Sequence, residues 1–186
     1  ADGITGQMME VVDIPEPKPV PYDHTDWCVR GDAATRQNLV SSIYLEPEEL
    51  EQHNLKLDRK YKEIEKDEVR FEEYRTDDAD LLVVAYGVVS RIVYSTIDQA
   101  RDEGLKVGLL RPITVWPFPS EAIRAHAEKV DHILAVELST GQMVEDVRLA
   151  VEGRCPVHFY GRCGGMVPGG KEILEQYREI LAGGAH

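Results

Sequence analysis

Four short apolar runs, each bordered by turn residues or a stretch of helical period, dominate the second half of this chain: Leu81 to Tyr86, Lys106 to Ile113, Ile133 to Glu137 and Val157 to Tyr160. Runs of this length without polar alternation suit strands buried on both faces. Between and after them, apolar residues recur at helical spacing: Val89, Ile92, Val93, Thr96, Ile97 and Ala100; then Met143, Val144, Val147 and Val151; then Ile173, Leu174, Tyr177, Ile180 and Leu181. Strands alternating with amphipathic helices predict a three-layer α/β domain over residues 81–186, its sheet mostly parallel and covered on both faces.

The preceding residues lack this alternation. Residues 46–80 carry 14 acidic and 7 basic side chains, with Pro47 placed for a first helical turn and Leu50, Leu57, Tyr61, Ile64 and Phe71 at roughly helical intervals. They read as a charged, largely solvated helical arm. Residues 1–45 show no period, and Pro15, Pro17, Pro19 and Pro21 make Ile14 to Tyr22 an extended linker. The opening Ala1-Asp2-Gly3, without an initiator Met, is read as following a segment not included in this chain.

The most distinctive stretch is Leu109 to Pro119, where a strand runs into an elbow holding Pro112, Trp116, Pro117, Phe118 and Pro119, with a helix starting at Ser120. Loops at the carboxyl ends of parallel strands form the ligand or partner surface of open α/β sheets. The prolines equally serve to end the strand and set the next helix's entry angle.

Composition narrows the partners. With 34 acidic and 21 basic residues the formal charge is -13, which argues against nucleic acid and anionic membranes. No apolar run approaches the roughly 20 residues of a membrane-spanning helix, so a cytoplasmic protein is expected. Cys28, Cys155 and Cys163 have no Cys-x-x-Cys spacing, so neither a disulfide framework nor a metal cluster is indicated; Cys163 sits in a glycine loop beside Arg162. The six histidines form no metal spacing and are assigned no catalytic role.

Two stretches approach nucleotide-binding motifs without completing them. Gly87 is one glycine where a dinucleotide loop needs three, so helix–strand packing is its expected purpose, although the turn could hold an anion. Gly165 to Glu172 has phosphate-loop spacing, but Glu172 stands where a Ser or Thr must bind magnesium and Pro168 removes a donor amide. It reads as a turn entering the last helix. Ser139 or Thr140, with Glu145, is expected to cap the helix that follows Glu137. The candidate surface comprises Arg111, Thr114, Trp116, Glu137, Gln142, Arg162, Gly164 and Gly165; of these, Arg111, Thr114, Glu137, Gln142 and Arg162, at or just beyond carboxyl strand ends, are expected to converge along one sheet edge.

Asp2-Gly3-Ile4-Thr5-Gly6-Gln7-Met8-Met9-Glu10, Ala85-Tyr86-Gly87 with Arg91, Ala100-Arg101 with Gly104, Lys106, Val107 and Gly108, the Arg111 to Pro119 elbow, and Glu137 with Gly141-Gln142-Met143 together resemble the alpha subunit of 2-oxoacid:ferredoxin oxidoreductases. The likeness covers nearly the whole chain and is nearest the branched-chain (2-ketoisovalerate) branch, with the 2-oxoglutarate branch close behind. It implies a transketolase C-terminal-like domain preceded by the end of a thiamin-diphosphate pyrimidine domain. It further implies oxidative decarboxylation of a 2-oxoacid with coenzyme A, giving acyl-CoA, carbon dioxide and reduced ferredoxin in a complex carrying thiamin diphosphate, magnesium and iron–sulfur clusters. This chain has no Gly-Asp-Gly diphosphate motif and no cluster cysteines, so it is expected to be inactive alone, to bind none of these groups and to contribute no catalytic residue. The implied partners are a thiamin-diphosphate-binding beta subunit and a ferredoxin-like subunit, with ferredoxin reached through the complex. The candidate surface would then serve assembly or shape the approach of substrate or coenzyme A. Two other readings stay open: a stand-alone module binding a nucleotide or acyl carrier, and a purely structural assembly domain.

Overall fold

A computed structural model describes residues 13–19, 23–38 and 41–183. The Asp2 to Glu10 motif, the Val20 to Tyr22 end of the linker and His186 lie outside the described residues. The chain divides into two compact units, one spanning residues 10–62 and one containing residues 63–186.

In the first unit, Asp13 to Pro19 carries neither helix nor strand, as the closely spaced Pro15, Pro17 and Pro19 require. Residues 23–38 form turns held by side chains. Asp32 accepts from the amide and hydroxyl of Thr35 at 2.8 Å, and Asn38 donates to the carbonyls of Thr25 and Cys28 at 2.7 and 2.9 Å. Helix α1, Pro47–Asp67, begins in this unit, and no residue of it is buried. The solvated arm is therefore present, but it is shorter than its charge pattern suggests. After Asp67 the chain becomes β1, Phe71–Tyr74, and residues 68–80 are not helical. Phe71 belongs to this strand instead of the helical stripe; the β-favouring Phe71 and Tyr74 gain backbone partners on β3, which outweighs helical propensity.

The sheet of the second unit has the order β1-β3-β2-β4-β5, with β2 Leu81–Val84, β3 Val107–Pro112, β4 His132–Glu137 and β5 Val157–Gly161. β2 pairs in parallel with β3 and β4, and β4 in parallel with β5, while β1 is an antiparallel edge. Helices α2 Gly87–Asp102, α3 Ser120–Ala127, α4 Met143–Val151 and α5 Gly170–Leu181 fill the crossovers and the end of the chain. α2 packs with α5, and α3 with α4.

Alternation along each strand sorts the core into two layers. Leu81, Val83, Leu109, Leu134 and Val136 face Val93, Ile97, Ile173 and Tyr177, while Leu82, Val84, Leu110, Ile133 and Ala135 face Ile123, Val144, Val147 and Val151. β2 is fully buried along its length, which explains a run with no polar residue. Strand order reverses between β2 and β4, because one crossover runs to β3 and the next returns past β2. The rim above their carboxyl ends is thus the switch point of the fold.

Candidate functional site

The rim is built from four strand ends. After β2, Gly87 opens α2 at φ +59, a conformation that favours glycine, and a Cβ there would meet nothing within 4 Å. The turn geometry, and not helix–strand packing, is therefore what requires it. The α2 N-terminus has no side-chain cap and no acidic residue in its first turn.

After β3 the chain turns through the elbow. Its base is fastened to residue 70: the amides of Ile113 and Thr114 donate to the Arg70 carbonyl at 2.9 and 3.1 Å, and the Arg70 amide donates to Thr114 Oγ1 at 3.0 Å. Thr114 Oγ1 in turn donates to the Pro117 carbonyl at 2.9 Å. This shapes a loop whose apolar side chains face outward, with Ile113, Val115 and Trp116 50, 55 and 53% exposed. Beside it lies an open groove of about 850 Å³, lined by Val69, Phe71, Trp116, Phe118, Pro119 and Ala122, with Glu65, Lys66 and Glu121 also present.

Arg111, the last residue but one of β3, does not project freely. Its Nη1 donates to Glu72 Oε2 at 2.9 Å, and Tyr94 donates to the same oxygen at 3.2 Å. Burial and the Glu72 charge raise the Tyr94 phenol above its ordinary pKa. Glu72 and Tyr94 are not legible as partners from the sequence, because the edge strand bringing Glu72 opposite Arg111 lies where the charge pattern predicts helix.

After β4, Glu137 is 1% exposed and is removed from the candidate surface. Its Oε1 accepts the Val144 amide at 3.0 Å, and its Oε2 accepts the amides of Gln142 and Met143 at 3.1 and 3.0 Å and the Ser139 hydroxyl at 2.8 Å. The carboxylate therefore caps α4, a placement favoured by the helix dipole. This corrects the expectation of a Ser139 or Thr140 cap with Glu145: Ser139 serves as a bridge to the Gly141 amide, and Glu145 pairs with Arg148. A long carboxylate arriving from the sheet reaches three first-turn amides where a hydroxyl reaches one. The Gln142 side chain is exposed.

After β5, Arg162 pairs with Glu172 at 3.1 Å. Glu172 also accepts the Gly169 amide at 2.8 Å, and that bond together with Tyr160 and Arg162 holds its pKa below the ordinary carboxylate value. Glu172 thus caps α5, which is the turn-into-helix role expected for this glycine-rich stretch. Gly164 and Gly165 adopt φ +64 and +86, and with Leu138, Arg162, Cys163, Met166 and Val167 they line a hollow of about 80 Å³.

The expected convergence is not observed. Arg111 on β3 and Arg162 after β5 are three strand spacings apart, roughly 14 Å. They engage Glu72 on β1 and Glu172 on α5, whereas Glu137 turns toward α4 on the opposite layer. Elbow and 162–167 loop are separate features of one rim. Strand order decides this, and it is not written in spacing.

Among the described residues no group of side chains gathers that could hold a metal cluster. The three cysteines are free, and no three His, Cys, Asp or Glu side chains come together there. The one fully buried carboxylate of the rim is consumed by helix capping. No helix among the described residues is long and apolar enough to cross a membrane. Cys155 is half-buried, with its thiol pKa pushed up by burial, and Cys163 is exposed.

The family model described as "Pyruvate:ferredoxin oxidoreductase core domain II" matches residues 79–173, from the turn before β2 into α5. The ketoisovalerate oxidoreductase subunit VorB of Methanothermobacter marburgensis is 46% identical over 97% of this chain and 51% of its own length. The 2-oxoglutarate synthase subunit KorA of the same organism is 39% identical over 54% of this chain and 27% of its own length. The chain thus spans about half the length of the VorB relative. Among solved structures, a 2-oxoglutarate:ferredoxin oxidoreductase from Magnetococcus marinus, with 2-oxoglutarate, coenzyme A and succinyl-CoA bound, shares the fold at a TM-score of 0.65 and 21% identity, over 74% of this chain and 24% of that one. The matched stretch holds the complete parallel sheet and the rim, and the chain belongs to the pyruvate:ferredoxin oxidoreductase core domain II family.

Proposed function

We propose that this chain is the non-catalytic portion of the alpha-type subunit of a thiamin-diphosphate-dependent 2-oxoacid:ferredoxin oxidoreductase of the cytoplasm, acting on a branched-chain 2-oxoacid, and that its work is assembly. One observation carries the reading: the charged rim groups Arg111, Glu137 and Arg162 are engaged inside the chain, while the elbow presents Ile113, Val115 and Trp116 outward. Apolar and aromatic side chains clustered on a fixed loop are what a subunit interface needs. The VorB relative, matched along almost all of this chain, supports the branched-chain substrate.

The partners in this reading are the subunit that binds thiamin diphosphate and magnesium and the subunit that carries iron–sulfur clusters. A chain of charge -13 disfavours direct docking of an acidic ferredoxin, so electrons leave through those partners. Contact with coenzyme A is the weaker part of the proposal, because both arginines that would meet its phosphates hold carboxylates. The domain division proposed is the end of a preceding domain and a linker over 1–45, a charged arm over 46–80 and the α/β domain over 81–186, with β1 from the end of the arm joining the sheet as its edge.

The test is co-purification of the chain with its partners from native extract, with the retained proteins identified by mass spectrometry. Retention of a thiamin-diphosphate-binding subunit supports the reading. Substitution of Arg111 and Arg162 in the intact enzyme separates the coenzyme A part: an unchanged KM for coenzyme A removes it.

A further inference from the structure

His132 and His158 stand 26 positions apart in sequence, yet the β4–β5 pairing brings their rings together at the amino end of the sheet, far from the rim. His158 Nε2 and His132 Nδ1 share a hydrogen bond at 3.2 Å, which an ion held between them would replace, with ring centroids 5.2 Å apart and planes at 60°. Neither ring is fully buried.

We propose that His132 and His158 form an open two-histidine site for a borderline divalent transition ion, with Cu²⁺ and Ni²⁺ preferred over softer or harder cations. Imidazole nitrogen suits these ions, and Cu²⁺ lies at the top of the affinity order. At metal–nitrogen distances of about 2.0–2.1 Å, a nitrogen separation of 3.2 Å subtends an angle of roughly 100°, close to that between two ligands of one ion. Binding requires the tautomers that leave both facing nitrogens unprotonated, His132 keeping its hydrogen on Nε2 and His158 on Nδ1. Water occupies the remaining positions, since no third protein ligand gathers there among the described residues. The two ligands sit on adjacent paired strands, so their spacing is set by the sheet and not by loop motion. Occupancy would tie β5 to β4 at the end opposite the rim, and it is independent of any assembly role.

Calorimetric titration of the full metal-free chain with Ni²⁺ tests the site. One saturable ion per chain is expected, weakened at least tenfold in His132→Gln and in His158→Gln and unchanged in His126→Gln, whose ring lies on α3 against Glu73. Unchanged binding in the double variant, or no saturable binding by the wild type, overturns it. Because a substitution in a strand can disturb folding, the wild-type chain is also titrated with Zn²⁺ while its imidazole nitrogens are followed by NMR. His132 Nδ1 and His158 Nε2 should shift together; movement confined to other histidines contradicts the proposal.

Discussion

Glu137 Oε1 accepts the amide of Val144 at 3.0 Å, joining the carboxyl end of β4 to the first turn of α4 by a carboxylate that is almost wholly out of solvent. With the Gln142 and Met143 amides on its other oxygen, it replaces the water that first-turn donors otherwise need. Removing it strands these donors in the protein interior. Glu137→Ala should therefore lower stability by about 3 kcal/mol, a fall in Tm of roughly 10 °C for a chain of this size. Glu137→Gln, which keeps one acceptor, should lose about half as much. Thermal unfolding of both variants checks the order.

The elbow should behave in the opposite way. Val115 is 55% exposed and points away from the fold, so Val115→Glu should leave stability within about 0.5 kcal/mol of the parent. In the assembled enzyme the same change puts a carboxylate into an apolar contact and should weaken subunit association at least tenfold. Thermal unfolding and sedimentation of the complex separate the two effects. A large loss of Tm with assembly intact would assign the elbow to the fold alone.

Thr114 shapes that loop through the Arg70 amide and the Pro117 carbonyl. Thr114→Val preserves its volume and removes both bonds, at a cost of about 1–2 kcal/mol. Amide hydrogen exchange at Arg70 should accelerate while exchange in β2, at the centre of the sheet, stays slow.

The start of α5 should respond to acid. The folded pKa of Glu172 is depressed by the Gly169 amide first, with Tyr160 and Arg162 adding to it. Its contribution is therefore present above the unfolded value near 4.5 and is lost as pH falls through the lower folded value. Glu172→Gln should be less stable than the parent at pH 7, and the gap should close as pH falls below 4.5 and through the lower folded value. Parallel unfolding curves across that range measure it.

How much of this was legible in the sequence can be followed residue by residue. The four parallel strands were, because burial on both faces demands continuous apolar runs, and Leu81 to Val84 has no alternative. The helices were too, because each must cover one layer. β1 was not: its four residues are half charged and mostly exposed, and it exists because β3 offers an edge, which is a tertiary fact. Glu137 was singled out for its position, but its role depended on where α4 starts relative to β4. Arg111 and Arg162 looked convergent because spacing places both at strand ends, and strand order then set them apart. The His132–His158 pair depends on inter-strand register, to which local spacing is blind.

The account rests on the elbow as a subunit contact and on the absence of chemistry in this chain alone. The direct measurement is affinity capture of tagged wild-type chain and of its Val115→Glu variant from native extract, with partners identified by mass spectrometry and 2-oxoacid-dependent reduction of ferredoxin assayed on each. The account expects the wild type to bring down a thiamin-diphosphate-binding subunit that the variant loses, and the purified chain by itself to show no turnover. Equal recovery of that subunit by both forms, or turnover by the chain alone, would contradict it.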